Sequence, residues 1–494
     1  MTRQRLFLLL MAFCLIGICW WGVVVARAGL VVRSLYREGL PLLYLTPTTP
    51  QKIPGVLVAH GFAGSKQLML GYAHVLAHAG YAVMLWDFPG HGINSTPLEV
   101  NSLEKYIDIA TAALLEQPEV DPSRLALVGH SMGSGAVMSA GIRNENRYTA
   151  TVAISPISAE VTPSSPRNLQ LQAGSNEGVF IANAEKLLTQ AGGENQNFVD
   201  KKARSLVIVP NANHLSIVFS NYSHQSVKNW LNATFSLTDN SQYIDQRISW
   251  YILHLLTWLF ILVTAAPILN KFLPSKKPKL SAIKTWGGLA IVPVITPVSL
   301  ILINLVIGIL NWFKLIQFEM QNLGGFLLVG SLGLWFFITG TVWLGIIRRL
   351  PRPKINSLLM GLLLFGVLWV AFGAIADQVW LQWLLINPRF ILWLLLSFAC
   401  LPWFLASGLV QQNTGILQRF AWWLAQNTAI ISGLLITIYF LPQLNFLLML
   451  VPISPIIITL LFFVAALFDD TWSYAISSTL FFAWIIAAVF PLLA

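Results

Sequence analysis

Three textures of apolar and polar residues succeed one another along the chain. Leu6 to Ala26 is an uncharged apolar stretch behind Arg3 and Arg5. It is longer than the apolar region of a usual secretory leader and long enough to span a bilayer. Ala26-Arg27-Ala28 resembles a small-residue cleavage site, but the length favours a retained anchor over residues 1–28. From Val31 to Asp245 short apolar runs alternate with helix-like segments, Gly turns and charges. The runs "GVLVAH" (55–60), "YAVMLWD" (81–87), "LALVGH" (125–130), "TVAISP" (151–156), "LQLQAG" (169–174) and "SLVIVP" (205–210) read as buried strands. Leu68–Ala79, Leu103–Glu116 and Val179–Ala191 read as helices between them. This β-α-β alternation predicts a mostly parallel sheet with helices on its faces over 29–245.

After Arg247 the apolar runs return. They predict a membrane domain over 246–494 with about eight all-α spans, near 248–269, 285–311, 324–347, 356–377, 388–410, 420–441, 444–467 and 472–493. Pro293, Pro297, Pro452 and Pro455 would break spans locally. Asp377 and the pair Asp469-Asp470 fall near span ends, where interfacial water would solvate them.

Composition agrees. Hydrophobic residues make up 56% of 494 and charged residues 10%, against about 25% charged in a soluble protein. The net charge of +10 is not a nucleic-acid patch. The 28–245 region carries 14 Lys/Arg against 16 Asp/Glu, while the surplus of basic residues falls in short gaps between apolar runs. Lys271, Lys276, Lys277, Lys279, Lys284, Arg348, Arg349, Arg352, Lys354 and Arg419 lie in alternate gaps, on the side of Arg3 and Arg5. The positive-inside rule then puts the N-terminus in the cytoplasm and the 29–245 domain outside it. Cys14, Cys19 and Cys400 all fall in apolar runs, so no disulfide is expected in the polar domain.

Candidate chemistry centres on "LALVGHSMGSG" (125–135). A G-x-S-x-G match alone arises by chance in a chain this long with probability roughly 0.15. Here a strand precedes Ser131 and a small-residue helix start follows it, the setting a nucleophile needs. His214 in "VPNANHLSI" follows the last expected strand and is the best-placed base; His224 and His254 are rivals, the latter in a membrane run. Glu177 in "LQAGSNEG" follows the penultimate strand and would orient the base, with Asp200 as its rival. "VLVAHGFAGS" (56–65) ends a strand where the Phe62 N–H could serve an oxyanion, with the Met132 N–H as second donor.

"AHGFAGS", "DFPGHG", "GHSMG", "GSNEG" and "NANH", in that order over about 200 residues, resemble the α/β-hydrolase superfamily. The resemblance implies a serine hydrolase of the esterase, lipase, thioesterase or peptidase kind, with esters favoured over peptides. No metal cluster, nucleotide loop or cofactor motif is visible, and the acyl substrate could be a lipid or lipid-linked molecule supplied by the bilayer. The segment from Pro156 to Leu169 leaves no room for a helical lid, so the site should be open or covered from outside the domain. Two other readings remain at this level: an acyltransferase using the same acyl-serine, and a transporter or scaffold with a non-catalytic hydrolase-fold domain.

Overall fold

A computed structural model describes residues 2–49, 51–99, 102–238, 241–273, 280–315, 329–350, 352–442, 448 and 450–492. Lys276, Lys277 and Lys279, and the first residues of the spans expected at 324–347 and 444–467, lie outside the described residues. The chain divides into two compact units. One comprises Gly17–His254 with Ile375–Leu384, the other Met1–Ile16, Leu255–Ala374 and Leu385–Ala494.

The first unit is built on an eight-stranded sheet of β1 (Leu30–Arg37), β2 (Leu40–Pro47), β3 (Ile53–Ala59), β4 (Ala82–Trp86), β5 (Val120–His130), β6 (Ala150–Ile154), β7 (Leu169–Gly174) and β8 (Arg204–Val209). The strand order is β1-β2-β4-β3-β5-β6-β7-β8. β1 and β2 form an antiparallel hairpin at one edge, and β3 through β8 run parallel. Alternation along the strands divides the core. Val56, Val58, Ala126, Val128 and Val152 face one way, towards helices α2 (Leu70–His78) and α6 (Asn221–Phe235). Ala153, Leu169 and Leu171 face the other way, towards α4 (Met132–Arg143) and α5 (Gly178–Gln190); α3 (Leu103–Leu115) packs on α4. The central strands β3, β4, β6 and β7 are therefore buried on both faces, which is why they read as continuous apolar runs. Residues 155–168 contain no helix or strand.

The hairpin β1–β2 and the helix α6 were not expected from the sequence. β1 carries Arg33 and Arg37 and is only half-buried, so it lacks the uniform apolarity of the central strands. In α6 only Val227, Trp230 and Leu231 of the large apolar residues are buried, a narrow i, i+3, i+4 stripe in a polar segment.

The second unit is helical. α7 (Arg247–Leu269), like the N-terminal helix α1 (Arg3–Val25), contributes to both units. There follow α8 (Ala282–Trp312), α9 (Val329–Ile347), α10 (Ile355–Gly373), α11 (Asn387–Gln411), α12 (Ile416–Phe440), α13 (Leu450–Leu467) and α14 (Thr471–Val489). Among the described residues seven helices, α1 included, are long and apolar enough to cross a membrane, or eight if the bent α8 is one span. The described part of α9, Leu332–Ile347, is apolar but shorter. Large apolar side chains such as Leu302, Leu395 and Phe398 are exposed along these helices, as a lipid-facing surface requires.

Candidate active site

β5 delivers its chain to the carboxyl edge of the sheet, and the backbone reverses there within one residue. Ser131 takes φ 52° and ψ −117°, a conformation that costs a non-glycine residue on the order of 1–3 kcal/mol. The reversal is held from both sides. The Ser131 N–H donates to the Ile154 carbonyl on β6 (2.9 Å), and the Ser134 hydroxyl donates to the Ser131 carbonyl (2.5 Å). At Gly133 a Cβ would lie 2.6 Å from the His60 carbonyl, so nothing larger than glycine lets α4 start so close to β3. The strain presents the hydroxyl on the tip of the turn.

His214 and Glu177 arrive from neighbouring strand ends. His214 Nε2 lies 3.1 Å from Ser131 Oγ, and His214 Nδ1 lies 2.7 Å from Glu177 Oε1. A carboxylate can only accept, so Nδ1 carries the proton and Nε2 is left to accept from the serine. The second Glu177 oxygen accepts from the Gly174 N–H (2.6 Å) and the Ser155 hydroxyl (2.9 Å). Its side chain is only 2% exposed, so the carboxylate is held by donors on both oxygens and shielded from water. Phe180 stacks on the imidazole at 4.3 Å between ring centroids.

The rivals lie elsewhere. Asp200 is exposed and accepts from the Asn197 amide. His224 is buried on α6, with its ring against Tyr72 and its Nε2 donating to the Val218 carbonyl. His254 is buried in α7 near Trp20. Of the two expected oxyanion donors, Met132 directly follows the serine and Phe62 lies in the loop after β3. Met132 is the first residue of α4, where the N–H has no carbonyl one turn back and the helix end is positive. Phe62 follows Gly61, whose added Cβ would stand 3.1 Å from Ser131 Cβ and 2.8 Å from His130 Nδ1.

Two histidines with no role assigned from sequence complete the surroundings. His130 Nε2 donates to the His214 carbonyl (3.1 Å) and so fixes the backbone of His214. Burial, and then the neighbouring His214, push its pKa well below the usual histidine value. His60 is also depressed by burial, and its Nε2 accepts the Phe88 N–H (3.0 Å). Kept neutral, both act as oriented hydrogen-bonding groups. The signal was present in "GHSMG" and "AHGF": a histidine closing an otherwise apolar strand needs a partner once buried. Lys66 adds a third tie, its N–H donating to Asp87 (2.8 Å) and its ammonium pairing with the same carboxylate. The loops after β3 and β4 are thereby locked side by side.

Residues 51–205 match the family described as serine aminopeptidase, S33. This sheet order, this turn and this match decide the fold. The sheet and helices that contain residues 51–205 form an α/β-hydrolase domain. The α/β-hydrolase domain is 31% identical over 116 residues to an uncharacterized protein of Mycobacterium tuberculosis, a match covering 24% of this chain and 41% of that protein. It is 27% identical over 115 residues to the quorum-quenching protein AidA of Acinetobacter baumannii, covering 22% and 38%. The chain thus spans less than half the length of these relatives. Among solved structures the domain is similar to a bacterial membrane phospholipase A, at 18% identity and a TM-score of 0.34, covering 48% of this chain and all of that one. It is also similar to a dienelactone hydrolase from Anabaena variabilis, at 21% identity and a TM-score of 0.33, covering 42% and 96%.

Proposed function

We propose that this chain is a membrane-bound serine hydrolase that cleaves an acyl ester through an acyl-serine intermediate. The observation that carries the proposal is the continuous hydrogen-bonded series from Ser131 through His214 to Glu177. A binding or scaffolding domain has no chemical need for that series. In the proposed reaction His214 Nε2 takes the Ser131 proton as Oγ attacks the acyl carbon. Glu177 stabilises the imidazolium, and the N–H groups of Phe62 and Met132 receive the oxyanion. His214 returns its proton to the leaving alcohol, and water repeats the sequence to release the acid. Peptide cleavage would use the same groups; the apolar surroundings favour esters of apolar acyl chains. Ile157, against Gly135, and Val179 and Leu215, each within two residues of Glu177 or His214, are exposed.

Residues 1–28 and 246–494 would hold this domain in the bilayer, with the Lys/Arg bias supporting a catalytic side outside the cytoplasm. His74 and His78 both donate to the Ala26 carbonyl at 3.0 Å, which supports a retained first span. The test is turnover by the purified full chain of p-nitrophenyl esters of graded chain length beside aminoacyl p-nitroanilides, with and without an added alcohol. Ester hydrolysis that rises with chain length and is absent from Ser131→Ala is expected. Hydrolysis of the anilides alone, or ester turnover surviving in Ser131→Ala, would overturn the proposal; acyl ester formed with the alcohol would identify a transferase.

A further inference from the structure

The hydrolase unit contains a segment that the chain supplies from far away. Ile375–Leu384, "IADQVWLQWL", lies in sequence between the apolar helices α10 and α11, yet it belongs to the same compact unit as the triad. It is stapled on itself, with the Trp383 N–H donating to Asp377 Oδ1 (2.8 Å). Ile375, Ala376, Leu381 and Trp383 are buried.

Its outward contacts fall on the two loops that the proposed chemistry needs at a fixed spacing. The Gln382 N–H donates to Ser65 Oγ (3.3 Å), and the Gln67 amide donates to Gln382 Oε1 (2.8 Å). Ser65 directly follows the turn Gly61–Gly64, closed by the Gly64 N–H on the Gly61 carbonyl (3.1 Å), in which Phe62 sits. Trp380 meets Phe219 edge-on at 6.4 Å. Phe219 ends the short helix Ser216–Phe219, which begins two residues after His214 and is tied back through the Ile217 N–H to Asn213. Gln378 closes the third side. Its carbonyl accepts from Arg247 (3.1 Å) and its side chain from Arg27, while Arg247 is itself paired with Asp245.

We infer that Ile375–Leu384 is a positioning segment of the active site, with Gln382 and Trp380 holding the Phe62 loop and the His214 loop at the separation acyl transfer requires. The inference rests on the serine-hydrolase reading above. Gln382 touches no reacting atom; it acts through Ser65 and Gln67 on the backbone that carries an oxyanion donor. A donor displaced by a fraction of an ångström weakens the transition state more than the bound ground state.

The experiment is the rate of Ser131 phosphonylation by a fluorophosphonate in the full-length, membrane-embedded protein. Oγ attacks phosphorus, fluoride leaves, and the hydroxyl proton passes to His214. Gln382→Ala should lower the maximal rate constant on the order of 10-fold, part of the 10²–10³ that losing a whole donor costs. The probe concentration giving half the maximal rate should move less than about two-fold. Gln382→Glu, which still accepts from Gln67, should restore most of the rate. Gln67→Ala should match Gln382→Ala, and the double variant should lose little more. A wild-type rate in Gln382→Ala overturns the inference. So does a loss that only tracks the amount of folded protein and is not recovered by Gln382→Glu. Wild type that is folded yet unreactive overturns the hydrolase reading itself and this inference with it.

Discussion

The two units treat buried polar groups in opposite ways. In the helical unit such groups are spent on the helices themselves. The hydroxyls of Thr339, Ser397, Thr437 and Ser477 each donate to a carbonyl one turn back, at 2.7–2.8 Å. Ser407 donates to Gln426 (2.7 Å), and Arg419 pairs with Asp469 (2.6 Å). Arg389 donates from α11 to the Ala487 (2.6 Å), Ala488 and Phe490 (2.8 Å) carbonyls at the end of α14. Each of these contacts satisfies a polar group that its apolar surroundings would otherwise leave unpaired. In the hydrolase unit one set of polar groups converges instead. Glu177, His214 and Ser131 form a hydrogen-bonded series that ends at the serine hydroxyl. Polar burial in one unit ties helices together; in the other it holds Ser131, His214 and Glu177 in the fixed arrangement on which the proposed chemistry rests.

The sharpest way to break this contrast is to delete members of the series. Ser131→Ala and His214→Ala should each reduce ester turnover by more than about 10³-fold, with Glu177→Gln costing less because the serine–histidine pair survives. The melting temperature of each should stay close to that of the wild type. If turnover persists in these variants, the convergence has no catalytic meaning. Next in size is Gly61→Ala. Its new methyl would meet His130 Nδ1 and Ser131 Cβ, pushing the Phe62 loop outward, so kcat should fall about 10- to 100-fold with a smaller change in KM.

The helical unit should give the reverse pattern. Arg389→Ala strands three carbonyls at the end of α14, at about 1–3 kcal/mol for each buried acceptor left unpaired. Thermal unfolding should come earlier while the kcat of folded protein stays unchanged; a selective loss of kcat would erase the contrast. The smallest effect is a pH dependence of stability. Burial lowers the pKa of His60, His74, His130 and His224, with Arg247 adding to the effect at His74 and Asp245 opposing it at both His74 and His224. The unfolded chain therefore takes up these protons first as pH falls. Stability should be level above the ordinary histidine pKa, about 6.5, and decline below it. Asp245 adds nothing in that window, because Arg247 outweighs its burial and holds its carboxyl well below the usual range. Unfolding midpoints measured from pH 8 to 5.5 would contradict this by rising.

How much of this was legible differed between the units for physical reasons. The central parallel strands were readable because burial on both faces leaves runs such as "LALVGH" with almost no polar residue. The strand-end positions of Ser131, Glu177 and His214 were readable because glycines and strand ends mark where the chain must turn. The β1–β2 hairpin was not, since its turn uses Glu38 and Gly39, both at positive φ, rather than the Asn-Gly or Asp-Gly that usually signals such a turn. The apolar helices announced themselves by length alone. Ile375–Leu384 was least legible of all: most of it falls in the short gap between two expected spans, and only long-range contacts at Ser65, Gln67 and Phe219 assign it to the hydrolase unit.

One measurement goes directly to the nucleophile. Membranes carrying the wild type and Ser131→Ala would be treated with a fluorophosphonate and the modified peptide mapped by mass spectrometry. An adduct on Ser131 in the wild type, absent from Ser131→Ala and strongly reduced in His214→Ala, is the expected result. Folded wild type without an adduct, or an adduct elsewhere that survives Ser131→Ala, would contradict the assignment of Ser131 as an activated serine.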